Sequence, residues 1–164
     1  MRKIGIDGGH STYELGPASD VELFFECINV FTSKLGQGKD WGLLTDRFYR
    51  RYLKLEELPR SESLMRDVRS IFATIDVSTI DLSAIPADEG QSWLDKSCPT
   101  LADLFASYFE KFSAAIRSAE SFMEAFHIYQ PVRLVIADLP GYARDKKKPL
   151  AEYDALTGRP FWLK

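Results

Sequence analysis

Histidine and cysteine are scarce in this chain of 164 residues: His10 and His127, Cys27 and Cys98 are all there is. Two histidines and two distant cysteines provide no zinc spacing, and the carboxylates follow no calcium-loop pattern. No metal and no cofactor are expected. Cys27 falls on an apolar helix face and Cys98 lies beside Pro99 in a loop. Two bystander thiols, as in a reducing compartment, are expected rather than a disulfide. No Gly-x-Ser-x-Gly occurs, and neither cysteine has a catalytic context, so nucleophile signatures are missing too. Long apolar runs are absent, which removes a transmembrane helix of about 18 or more apolar residues. Only Ile4, Gly5 and Ile6 separate Met1-Arg2-Lys3 from Asp7, too little for a signal-peptide core, so the expectation is a cytoplasmic protein with no membrane partner. Neither sign of charge dominates: 21 Lys and Arg face 24 Asp and Glu, a net charge of −3. A protein that grips phosphates usually carries a basic excess, so no direct nucleic-acid partner is expected.

What is present is core-forming material. Hydrophobic residues make up 45% and aromatics 13% of the chain, enough for one domain over residues 1–164. Arg2 to Asp7 alternates and carries two isoleucines, the pattern of a short strand running into Gly8-Gly9. His10 to Ala18 reads as a loop. Ser19 with Glu22 has the spacing of a capping box, followed by Val21, Phe24, Phe25, Ile28, Phe31 and Leu35 at helical period, with Gly36 as a left-handed stop. Trp41 to Leu44 reads as a strand, and Phe48 to Leu58 fits either an extended or a helical course. Pro59 opens a second helix with Leu64, Met65, Val68, Ile71, Phe72 and Ile75 on one face. Val77 to Leu82 has strand composition, and Pro86 to Pro99 is a long loop. Thr100 and Asp103 start a third helix that runs to Phe126, roughly 40 Å if unbroken, with Pro131 ending it. Val132 to Ala137 is the clearest strand. The expected fold is α/β (α+β): a small mixed sheet holding the strands near Arg2–Asp7 and Val132–Ala137, covered by three amphipathic helices.

Two motifs touch on chemistry. Ile4-Gly5-Ile6-Asp7-Gly8-Gly9-His10-Ser11 resembles the first phosphate turn of the actin and sugar-kinase superfamily, in which an aspartate meets a metal–phosphate and glycine amides approach the phosphates. The second half of such a fold is missing, and Val135 to Gly141 only echoes its second turn. The plainer reading is a glycine turn at a strand end. His10 and His127 form an acid–base pair only if they converge, and a histidine at a helix C-terminus otherwise serves as a dipole partner. Glu120 and Glu124 lack the Glu-x-x-His partner of a di-iron site and read as a solvated face.

Charge distribution is more informative. Between residues 81 and 95 the chain holds Asp81, Asp88, Glu89 and Asp95 with Trp93 and no lysine or arginine. An acidic loop with an aromatic anchor suits a basic partner, since complementary charge speeds encounter and a buried ring supplies affinity. The alternative is that Trp93 covers the core and the acids face water. The basic run Arg144 to Lys148 reads as a solvated turn.

Lys3-Ile4-Gly5, Trp41-Gly42, the run Phe48-Tyr49-Arg50-Arg51-Tyr52-Leu53 and the helix bearing Leu64, Val68, Ile71 and Phe72 resemble bacterial immunity proteins of contact-dependent growth inhibition and polymorphic toxin systems. The similarity covers roughly the first half of the chain, and its motifs are structural. It implies a non-enzymatic cytoplasmic antidote that binds the toxic C-terminal domain of a cognate effector, commonly a basic nuclease. The acidic residues Asp81, Asp88, Glu89 and Asp95, with Trp93, are then the expected partner-binding surface. Two other classes remain open: a small phosphate-ligand or nuclease enzyme using the Asp7–Ser11 turn, and a structural subunit of a larger assembly.

Overall fold

A computed structural model describes residues 3–35, 38–84, 92–137, 151–152 and 158–163. The expected first strand is β1, Lys3–Asp7, whose last four residues are buried. The segment read as a loop is instead a second strand, β2, Thr12–Pro17. It folds back on β1 as an antiparallel hairpin, with Asp7 opposite Thr12 and Lys3 opposite Pro17. Its polar, glycine- and proline-bearing composition hides the strand, because pairing with β1 rather than local propensity holds it extended. The clearest strand, β3, Arg133–Ile136, pairs with the other edge of β1, Ile4 opposite Ile136 and Asp7 opposite Arg133. The sheet order is β2-β1-β3. Among the described residues every strand pairing is antiparallel, where a mixed sheet is expected from the sequence.

Among the described residues the chain forms four α-helices, of which the first and the last lie against the sheet. α1, Ala18–Thr32, follows directly on β2, with Pro17 at the N-cap position and no side-chain cap. Ser19 therefore sits inside the first turn and buried, and the expected capping box with Glu22 does not form. Because the helix ends at Thr32, Leu35 lies beyond it and is 61% exposed rather than part of the core stripe. The expected stop at Gly36 lies outside the described residues. Trp41 to Leu44 is not a strand: a π-helical segment, Leu43–Phe48, buries Leu43, Leu44 and Phe48. α2, Leu58–Phe72, has Pro59 in its first turn, where the missing N–H costs no hydrogen bond, and buries Leu64, Met65, Val68 and Phe72.

Val77 to Leu82 is not a strand either, but short 3-10 turns at Val77–Thr79 and Leu82–Ala84. Thr100 caps the next helix as expected, its Oγ1 accepting from the Asp103 N–H at 3.3 Å. The long helix is broken: α3 covers Leu101–Leu104 and α4 covers Ala106–Phe126, with Phe105 between them at φ −105° and ψ 18°. Burial of Phe105 explains the break, because its ring enters the aromatic cluster around Phe24, 5.1 Å between centroids. α4 ends at His127 in the left-handed region, several residues before Pro131.

One continuous core joins the sheet to α1, α2, α3 and α4. Phe24 is its hub, with Phe25, Phe72, Tyr108 and Phe109 at centroid distances of 5.4, 6.1, 4.9 and 5.6 Å. The C-terminal Trp162 also enters it: the ring is 2% exposed, and Nε1 donates to the Tyr49 carbonyl at 2.8 Å.

Candidate interaction surface

The Asp7–Ser11 turn is occupied by the protein itself. The Asp7 carboxylate faces the Arg133 guanidinium across the sheet at 3.3 Å, and both side chains are almost fully buried. A β-carbon on Gly8 would stand 2.2 Å from the Ala115 carbonyl oxygen, so the glycine is there to let α4 approach the backbone. The His10 ring packs at a tilt against Phe122 and Phe126, 4.6 and 5.9 Å between centroids. His127 shapes the end of α4, and the structure does not bring the two histidines into a described contact. Asp138 to Gly141 and Arg144 to Lys148 lie outside the described residues. Glu120 and Glu124 are exposed, as expected of a solvated face. Among the described residues no helix is long and apolar enough to cross a membrane, and no three His, Cys, Asp or Glu side chains cluster as metal ligands.

The acidic segment is different. Its base is closed by the Asp76–Thr100 bridge, with Val77 N–H on the Pro99 carbonyl at 3.1 Å and Leu101 N–H on the Ile75 carbonyl at 2.9 Å. Near its far end a buried carboxylate holds it down: Asp20, in the first turn of α1, accepts from Ser92 Oγ and from the Trp93 N–H, each at 2.8 Å. Burial pushes the Asp20 carboxyl above its ordinary value, and the hydrogen bonds from Trp93 and Ser92 oppose that rise. The Trp93 ring lies against Gly16, whose φ of +137° admits few other residues. Lys3 Nζ stands 5.4 Å over the same ring. Trp93 is nonetheless 44% exposed, so it is neither a core residue nor a loose one.

Asp81 and Asp95 are both exposed, and each closes the same kind of turn. Asp81 Oδ1 accepts from the N–H and Oγ of Ser83, and Asp95 Oδ1 from those of Ser97. These bonds hold both carboxyls below the usual aspartate value, so they are charged and fixed in direction. Asp88 and Glu89 lie outside the described residues.

Asp81 also belongs to a feature that the sequence reading missed. A groove of about 520 Å³ runs along α1 against Thr79, Ile80 and Asp81. Leu23, Val30, Phe31 and Ile80 form its apolar part, and Glu22, Glu26 and Asp81 its charged part. Cys27 closes the floor, free and buried, its thiol pushed up to about 12 by desolvation. A signal existed: α1 carries a second apolar stripe, Leu23, Cys27, Val30 and Phe31, rotated from the core stripe Val21, Phe24, Phe25 and Ile28. Periodicity alone does not say which stripe is covered. Compared with known proteins, the chain matches no protein-family model, no curated protein and no solved structure.

Proposed function

We propose that this chain is an immunity-type antidote, which binds the toxic C-terminal domain of a cognate secreted effector in the cytoplasm and neutralises it. The partner is a basic nuclease domain, and the antidote covers its phosphate-binding surface. The observation that carries this reading is the anchorage of Trp93: its backbone is held by Asp20 and its ring is seated on Gly16, yet nearly half the residue faces solvent. An aromatic side chain already ordered in this way loses little entropy on binding and is the usual kind of interface hot spot. The fixed, ionised carboxylates of Asp81 and Asp95 in the same segment complement a basic face and steer its approach. The phosphate-turn reading has less support, because the Asp7 carboxylate is engaged by Arg133 and Gly8 is covered by α4.

The test is neutralisation. A secreted-toxin C-terminal domain encoded beside this chain is expressed in a bacterial host with and without it, and growth and nucleic-acid integrity are followed. Rescue by the chain, with stoichiometric inhibition of the purified domain, is the expected result. Association should slow as salt rises, since screening acts over about 8 Å at physiological ionic strength. Absence of binding, or RNA cleavage by the chain itself that His10→Ala abolishes, would refute the proposal.

A further inference from the structure

α1 is apolar on two sides. Val21, Phe24, Phe25 and Ile28 point into the core, and the groove is lined by Val30 together with Leu23 and Phe31, which are half-buried against the core's edge. Val30 is 51% exposed. Residues 19, 22, 23, 26, 27, 30 and 31 recur at intervals of three, four, seven and eight, so the groove follows one continuous face of the helix. From Ser19 to Phe31 that face is about 18 Å long at 1.5 Å per residue. Glu26 stands exposed on it. Asp81 adds a second exposed carboxylate from the opposite wall, and among the described residues the groove is lined by no lysine or arginine. An apolar strip bordered by acids of one sign is complementary to a helix with an apolar face and cationic flanks.

We infer that the α1 groove is a docking site for a cationic amphipathic helix of a partner protein, about three turns long. Its aliphatic side chains pack on Leu23, Val30, Phe31 and Ile80. Its lysines or arginines meet Glu26 and Asp81. The inference rests on the antidote reading for the identity of the partner, but not for the chemistry of the groove. It gives the partner a second contact region in addition to Trp93.

The probe is a fluorescein-labelled amphipathic peptide of leucine and lysine, about 12 residues long to match the groove. Binding is read by fluorescence anisotropy at low ionic strength. A scrambled peptide of the same composition and a leucine–glutamate peptide serve as comparisons. Val30→Asp and Glu26→Lys alter exposed positions, and circular dichroism melts verify that both variants fold. Saturable binding of the amphipathic leucine–lysine peptide is expected, weakened at least about tenfold by each variant and by scrambling. Phe126→Ser, outside the groove, should leave it unchanged. Failure of the peptide to bind, equal binding of the scrambled peptide, or indifference to Val30→Asp would overturn the inference. The partner domain separates the two proposals. If Val30→Asp and Glu26→Lys neutralise it as well as the parent chain does, the groove falls and the antidote reading stands. If the peptide binds as expected but no toxin domain is neutralised, the groove stands and the antidote reading falls.

Discussion

Replacing Trp93 with alanine distinguishes a surface anchor from a core residue by magnitude alone. An enclosed tryptophan buries roughly 150–250 Å². Trp93 remains 44% exposed, so the area it hides against Gly16 and its neighbours is roughly 80–140 Å². At about 25 cal/mol per Å² that corresponds to about 2–3.5 kcal/mol. A compact unfolded ensemble already hides part of this surface, which lowers the figure by roughly 10–40%. The expected loss is therefore about 2 kcal/mol, below the roughly 3–5 kcal/mol of a fully buried tryptophan. Urea unfolding followed by circular dichroism measures it, and the thermal midpoint should fall by about 4–8 °C. A loss of about 4 kcal/mol or more would mean that Trp93 belongs to the core, and its role as an anchor would be refuted. A loss under about 0.5 kcal/mol would mean that the ring is not seated on Gly16 at all. With stability at the intermediate value, the partner assay should show a further loss of about 2 kcal/mol or more in binding.

Gly8→Ala should destabilise by about 2 kcal/mol or more, because its β-carbon meets α4 backbone that no side-chain rotation can move aside. Gly42→Ala is the contrast: φ is −57° and the nearest atom is 3.4 Å away, so the unfolding free energy from urea titration should be unchanged or raised by about 0.4–1 kcal/mol. Arg133→Met removes the guanidinium that faces the buried Asp7 carboxylate and should cost about 3–5 kcal/mol. Adding Asp7→Asn should recover a large part of that loss, whereas strict additivity in the double-mutant cycle would show that the two side chains do not interact. Asp20 titrates above its ordinary value of 3.8 when folded, so its contribution is fully present below pH 3.8 and is lost as pH rises through the folded value. The stability of the parent chain relative to Asp20→Asn should therefore increase as pH falls from neutral into that range. Equal pH profiles for the two proteins would contradict the burial of this carboxylate.

Local patterns in the chain specified most of what has a repeating reason. The β1 strand shows in its alternating isoleucines, and β3 in its run of β-branched and aliphatic residues. α2 shows in Pro59 and its aliphatic stripe, and the start of α3 in the Thr100–Asp103 cap. These features are legible because the forces behind them act over a few residues. The segments misread depend on partners far along the chain. β2 is extended because it pairs with β1, and Phe105 breaks a continuous helical pattern because its ring enters the cluster around Phe24. Val77 to Leu82 has the β-branched residues of a strand, yet it forms tight turns at the base of an excursion closed by Asp76 and Thr100.

The candidate surface divides in the same way. An acidic segment with one tryptophan is visible in the order of residues, since charge sign needs no fold to be read. Its exposure is not, because a tryptophan in a loop suits a core lid as well as a contact surface. That depends on Gly16 and Asp20, more than seventy residues earlier in the chain, which hold Trp93 with part of its surface open. The groove on α1 is a harder case still. Its apolar stripe is written in the sequence as plainly as the core stripe. Both have helical period and both are made of aliphatic and aromatic residues. Only the packing of α2 and α4 against one side, and of the short 79–81 segment along the other, leaves Val30 of the second stripe exposed among the described residues. Hydrophobic burial has no direction of its own, so the choice of face comes from the tertiary arrangement.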